Sequence, residues 1–166
     1  MLVLGIDPGT ATTGYAVVLG GECECRLLDS GALLTQAGRP PGERLQGIYQ
    51  GVLALARQHK PDAAAVEELF FSRNVRTALA VGQARGVVLL ALTDAGVPIF
   101  EYTPNQVKES VTGYGNAGKR QVQEMVRMLL RLSEVLQPDD AADAAAIALC
   151  HLQHYRFDQA LAEAEG

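Results

Sequence analysis

Leu2-Val3-Leu4-Gly5-Ile6-Asp7-Pro8-Gly9 is the stretch that decides how this chain folds. The apolar run reads as a buried first strand, Asp7 closes it, and Pro8-Gly9 turns the chain. A carboxylate at the mouth of a core strand is costly to bury without a partner. Glu67, Asp140 and Asp143 sit at the expected edges of further core elements. Acids gathered in one place repel each other, by about 4 kcal/mol per pair at roughly 4 Å and an effective dielectric of about 20. A divalent cation removes that repulsion. The pattern is therefore that of a metal-dependent enzyme acting on phosphodiesters.

Outward from the first strand, Thr13–Leu19 and Glu22–Leu28, the latter running on toward Leu34, alternate as strands with links short enough for antiparallel neighbours. Gln36–Gly42 is a loop. Leu45, Ile48, Tyr49, Val52, Leu53 and Ala56 then make one helical stripe that Pro61 ends. Ala63–Val66 is a fourth strand, with Glu67 at its end. Phe70 to Arg76 lacks periodicity and reads as a loop. Thr77–Ala95 is an apolar helix, where Gly82 and Gly86 suggest close packing on another helix. Val97–Tyr102 is a fifth strand. Thr103-Pro104 starts a short helix to about Val111, with Thr as N-cap and Pro at N1. A glycine-rich loop over Thr112–Gly118 leads to a helix over Lys119–Leu132, and the last helix covers Asp140 to about Tyr155.

These elements give an α/β chain with a mixed five-stranded sheet, three antiparallel strands and then two parallel ones, and helices on both faces. One domain over 1–155 is expected, followed by a frayed acidic tail over 156–166. The fourth and fifth strands run parallel to the first, so their C-terminal ends share an edge, where ligands gather in open α/β sheets.

Net charge is −5, which argues against a nucleic-acid partner until its distribution is read. Residues 73–131 carry eight Lys or Arg against four Asp or Glu, and the acidic excess lies in the flanks. A phosphate backbone feels the local patch, because screening acts within about 8–10 Å. No run of eighteen apolar residues exists, so no membrane span is expected. The N-terminus has neither a basic leader nor a cleavage site, and three cysteines fit a reducing compartment, so the expected place is the cytoplasm. Cys23 and Cys25 have no zinc spacing, and His151 and His154 share a helical face without a third ligand.

First-turn acids such as Asp140 and Asp143 can simply stabilise a helix N-terminus, and Asp139 fits an N-cap better still. Capping does not explain an acid at the end of each of two core strands. Hard oxygen ligands suit Mg²⁺ or Mn²⁺ better than zinc. Glu67 and Glu68 are adjacent and point to opposite faces of a strand, so the pattern alone does not choose between them. Lys119, a cation at a helix start, is placed against the helix dipole, which suits contact with a phosphate.

Gly5-Ile6-Asp7-Pro8-Gly9-Thr10 with Thr13-Gly14-Tyr15 resembles the opening of the RuvC family of Holliday-junction resolvases. Val66-Glu67-Glu68-Leu69-Phe70, Gly82-Gln83-Ala84-Arg85-Gly86, Gln106-Val107-Lys108, Lys119-Arg120-Gln121-Val122-Gln123 and Asp140-Ala141-Ala142-Asp143-Ala144 continue the resemblance in order, from about residue 2 to 154. It implies a ribonuclease-H-like nuclease domain. It also implies a homodimer that makes two symmetric metal-dependent nicks in a four-way DNA junction, during recombination and repair, leaving 5′-phosphate ends. Asp7, Glu67, Asp140 and Asp143 would be the ligands of two Mg²⁺ ions, with Mn²⁺ able to substitute and Asp7 bridging them. The resemblance thus selects Glu67 over Glu68. Lys108 and Lys119 would lie near the scissile phosphate, Lys119 with a catalytic role, and Phe70 would stack on a base at the exchange point. Arg73, Arg76 and Arg120 are further expected DNA contacts. The helix with Gly82 and Gly86 is the expected dimer face, and a branch-migration motor complex is a possible partner.

Two other classes share parts of this pattern. An actin-like ATPase or sugar kinase also opens with a strand, Asp and a phosphate-cradling turn. It needs a second lobe that one short domain does not supply. A junction-binding protein without catalysis would use only the basic middle.

Overall fold

β1 (Leu2–Asp7) is the central strand of a five-stranded sheet. The computed structural model describes residues 1–21, 24–68 and 75–165, and only the backbone of residues 75, 76 and 165. β2 (Thr12–Gly20) and β3 (Cys25–Leu34) pair antiparallel on one side of β1, while β4 (Ala63–Glu67) and β5 (Ile99–Tyr102) add in parallel on the other. The order β3-β2-β1-β4-β5 is the expected mixed sheet of the ribonuclease-H-like fold.

Strand alternation sends residues to two separate cores. Leu4 and Ile6 of β1, Val17 of β2 and Ala64 and Val66 of β4 pack against α1 (Pro41–His59) and α2 (Val75–Asp94). Val3, Ala16, Val18 and Ala65 face the other way, toward α3 (Pro104–Thr112), α4 (Lys119–Leu129) and α5 (Asp139–Glu165). Asp7 and Glu67 are in step with Val3 and Ala65, so both belong to the α5 side. The pleat thus separates Glu67 from Glu68, a distinction that depends on the strand register.

α5 lies unusually close to the sheet. Its first turns are mostly alanine, and Ala141, Ala142, Ala144, Ala145, Ala146 and Ala148 are all buried. A Cβ on Gly5 would overlap the Ala144 carbonyl oxygen, and one on Gly14 would overlap that of Asp140. Two glycines in adjacent strands therefore let the helix backbone rest directly on β1 and β2, which brings its first turn to the end of β1.

Several element ends differ from the sequence reading, and α2 begins at Val75, inside the stretch read as a loop to Arg76. β5 starts at Ile99 rather than Val97, because the Val97 amide donates to the Leu92 carbonyl in closing α2 and Pro98 has no N–H. α4 stops at Leu129 rather than Leu132. Arg131 turns left-handed, at φ 54, and the Leu132 amide closes back on the Arg127 carbonyl. β3 begins at Cys25, after the Gly21 amide donates to the Glu24 carbonyl, and residues 22–23 lie outside the described residues. α5, read from the sequence as ending near Tyr155, continues through Glu165. Its last turns are exposed and make little contact with the core. Thr103 does cap α3 as expected, in a reciprocal capping box with Gln106. Among the described residues no helix is long and apolar enough to cross a membrane.

Candidate active site

The C-terminal ends of β1 and β4 and the N-termini of α4 and α5 meet at one edge of the sheet. Asp7, Glu67 and Asp143 line a cleft there of about 230 Å³, together with Lys108 of α3 and Lys119 at the start of α4. Asp140 lies one turn before Asp143, near enough for its charge to act on both Asp7 and Asp143. All four acids read from the sequence therefore gather at this edge.

Their electrostatics are those of carboxylates lacking enough positive charge. Burial first, then the charges of Glu67, Asp143 and Asp140, push Asp7 from 3.8 to about 7. Burial and Asp143 raise Glu67 against the opposing pull of Lys108. Burial also raises Asp143, although Lys119 pulls the other way. Lys119 spans Asp139 at 3.2 Å and Asp143 at 3.4 Å. Burial acts to lower its own pKa, but Asp143 and Asp139 prevail and raise it. The ammonium thus supplies the positive charge nearest the helix start. Asp139 was read as a cap; its pairing with Lys119 has no sequence signal, because the two residues lie on different helices.

Among the described residues no three His, Cys, Asp or Glu side chains already form a closed cage for an ion. The donor chemistry nevertheless fits a hard divalent cation. Partial burial first, and then the neighbouring acids, raise the pKa of Asp7, Glu67 and Asp143, and a cation would reverse that preference.

The turn after Asp7 is fastened from several sides. The Thr13 hydroxyl donates to the Gly9 carbonyl at 2.8 Å. Arg44 of α1 donates to the Thr10 carbonyl at 3.0 Å and to the Thr35 hydroxyl at 2.9 Å. Neither Arg44 nor Thr35 was singled out from the sequence. Arg120 follows Lys119 on α4 and is exposed. Phe70 and Arg73 lie outside the described residues, as does the side chain of Arg76, so their expected DNA contacts have no structural counterpart here. A larger cleft of about 330 Å³ between α3 and α5, lined by Gln106, Ser110, His154 and Phe157 among others, holds none of the four acids.

The family model described as "Crossover junction endodeoxyribonuclease RuvC" matches residues 3–151. A protein of that description from Chloroflexus aggregans is 60% identical over 151 residues, 91% of this chain and 92% of its own. Another, from Pelotomaculum thermopropionicum, is 52% identical over 161 residues, 97% of this chain and 98% of its own. The solved structure of Thermus thermophilus RuvC in complex with a Holliday junction substrate superposes with a TM-score of 0.90 at 43% identity, covering 95% of this chain and 96% of that one.

Proposed function

The chain belongs to the RuvC family of crossover junction endodeoxyribonucleases, and we propose that the acidic cleft at the ends of β1 and β4 is where it cuts DNA. It is an endodeoxyribonuclease that resolves four-way Holliday junctions in recombination and repair. The observation that carries the choice of site is the gathering of Asp7, Glu67 and Asp143 in one cleft, with Asp140 close by. In this reading Asp7, Glu67, Asp140 and Asp143 hold two Mg²⁺ ions, for which Mn²⁺ can substitute. The ions supply Lewis-acid stabilisation of a phosphodiester and of its leaving oxygen. Lys108 and Lys119 orient phosphates of the strand to be cut. A gel assay on a synthetic four-way junction tests the reading. Paired nicks with 5′-phosphate ends are expected in Mg²⁺, with an uncut junction in chelator. A junction left intact in both Mg²⁺ and Mn²⁺ would sink it.

Lys119 should contribute to the rate beyond its pairing with Asp143. Lys119→Met is expected to slow single-turnover cleavage at saturating Mg²⁺ by roughly 10²-fold, the usual loss when one donor to a developing charge is removed. An unchanged rate would assign the lysine to surface charge alone.

The working unit is proposed to be a homodimer, matching the two-fold symmetry of a four-way junction. α2 supports this face. Leu79 and Leu90 are 65% and 54% exposed, and Gln83 and Gly86 lie between them along the same side. Among the described residues nothing lies close to a Cβ built on Gly86, so packing against them does not explain it. Sedimentation should show a dimer at micromolar concentration that Leu90→Asp converts to monomer. A wild-type monomer would refute the interface. The single domain over 1–155 is proposed to carry the whole activity, with the acidic residues 156–166 adding no DNA contact. The proposed setting is the cytoplasm, where junction DNA arises and free thiols such as Cys25 and Cys150 persist. A branch-migration motor complex is the further partner that family membership suggests.

A further inference from the structure

β4 ends at Glu67 with its side chain in the cleft, yet the main chain at that point is held from the opposite side of the sheet. Arg85 of α2 donates from Nε to the main-chain carbonyl of Glu67 at 3.3 Å. Its Nη2 donates to the carboxylate of Glu101 on β5, forming an ion pair. Glu101 is the register partner of Val66, directly beside Glu67. The Arg85 side chain is only 18% exposed, and the neighbouring Ala84 and Val88 anchor α2 in the core beneath β4. One planar guanidinium therefore ties a helix to the last residues of two neighbouring strands. The fork of an arginine suits this because two donors reach two acceptors at fixed angles, whereas a lysine offers one flexible point charge.

We propose that Arg85 is a positioning residue that fixes the end of β4, and through it the Glu67 carboxylate, for metal binding. This inference rests on the metal site proposed above. In this role Arg85 acts through the backbone of Glu67 rather than as a ligand itself.

The test compares wild type with Arg85→Gln, Arg85→Lys and Glu101→Gln by direct Mn²⁺ binding, read as loss of the free-ion paramagnetic resonance signal. The same proteins are assayed for Mg²⁺-dependent junction cleavage and for junction affinity in chelator. Arg85→Gln should raise the metal concentration at half-saturation about tenfold in both metal readouts. Cleavage at saturating metal should largely recover, and metal-free junction affinity should be unchanged. Arg85→Lys should show a comparable shift despite keeping the charge, and Glu101→Gln a smaller one. If Arg85→Gln does not fold, the lysine variant carries the comparison. A lowered melting temperature with an unmoved metal midpoint would overturn the inference, because that is what a purely structural contact predicts. Wild type that neither binds Mn²⁺ nor cuts would overturn the proposed function and this inference with it. Wild type that binds and cuts, beside variants with the same midpoint, would overturn this inference alone.

Discussion

Asp7→Asn should abolish junction cleavage in Mg²⁺, by 10³-fold or more on the order of losses seen when central catalytic electrostatics are removed, and yet make the metal-free protein more stable. The two effects share one cause. Unfolded, Asp7 ionises near 3.8; folded without an ion, it does so only near about 7. Below about pH 4 both states keep the proton, and the group imposes no penalty. As pH rises, the unfolded chain releases its proton first, so stability falls until the folded protein also ionises, and it levels off above about 7. A raised folded pKa therefore gives stability that is present in acid and lost toward neutrality. The loss is on the order of 2–4 kcal/mol. Asparagine never ionises, so denaturant melts at pH 8 in chelator should show Asp7→Asn the more stable protein by that margin, with the gap closing near pH 4. Added Mg²⁺ should raise the wild-type melting temperature and leave the variant almost unmoved. Metal uptake by wild type should strengthen as pH climbs through about 7, because the ion displaces a proton. Equal stability of the two proteins at pH 8 would show that Asp7 is not the strained, charge-crowded group described above. Full cleavage by the variant would remove it from the site.

Gly14→Ala should damage the enzyme almost as severely without touching a charge. Its methyl group would collide with the Asp140 carbonyl oxygen, a backbone atom with no rotamer by which to escape. α5 must lift or slide, and its first turn carries both Asp140 and Asp143. Overpacking of this kind costs about 1–3 kcal/mol. A displacement of about 1 Å at a reacting centre can cost roughly 10²-fold in rate. The variant should therefore melt lower, bind metal more weakly and cleave about 10²-fold more slowly. Gly47→Ala is the control. Gly47 lies in α1 with open space around it, so alanine there should raise stability by about 0.5–1 kcal/mol and leave cleavage alone. If Gly14→Ala cleaves at the wild-type rate, the seat of α5 on the sheet is not what sets the site.

The two glycines also mark where sequence reasoning stops. That an apolar run ends in Asp7, and another in Glu67, is visible in the string of letters, because strand burial and a terminating acid are local signals. That α5 lies on Gly14 is not, because the partner carbonyl is more than a hundred residues away. Alternation alone left Glu67 and Glu68 open, because it gives a parity only after the pairing of β4 with β1 is known, and it was the family resemblance that selected Glu67. Gly82 and Gly86 suggested close packing, but among the described residues nothing packs on Gly86. Arg44 was not singled out and Arg85 entered only within a family motif, and only contacts near strand ends reveal their work. A strand start and a helix end were missed where a closing amide bond outweighed propensity, at Val97 and Leu132.

β4 carries three consecutive alanines, Ala63-Ala64-Ala65, before Val66, Glu67 and Glu68. Deleting one of them would leave its composition nearly unchanged. It would, however, shift the frame of the strand by one place, moving Glu68 onto the cleft face and Glu67 into the apolar layer where Val66 now sits fully buried. The neighbouring glutamate is therefore no spare part. A second acid in the text becomes an intruder in the core as soon as the count is off by one, and the enzyme tolerates miscounting here less than it tolerates misspelling.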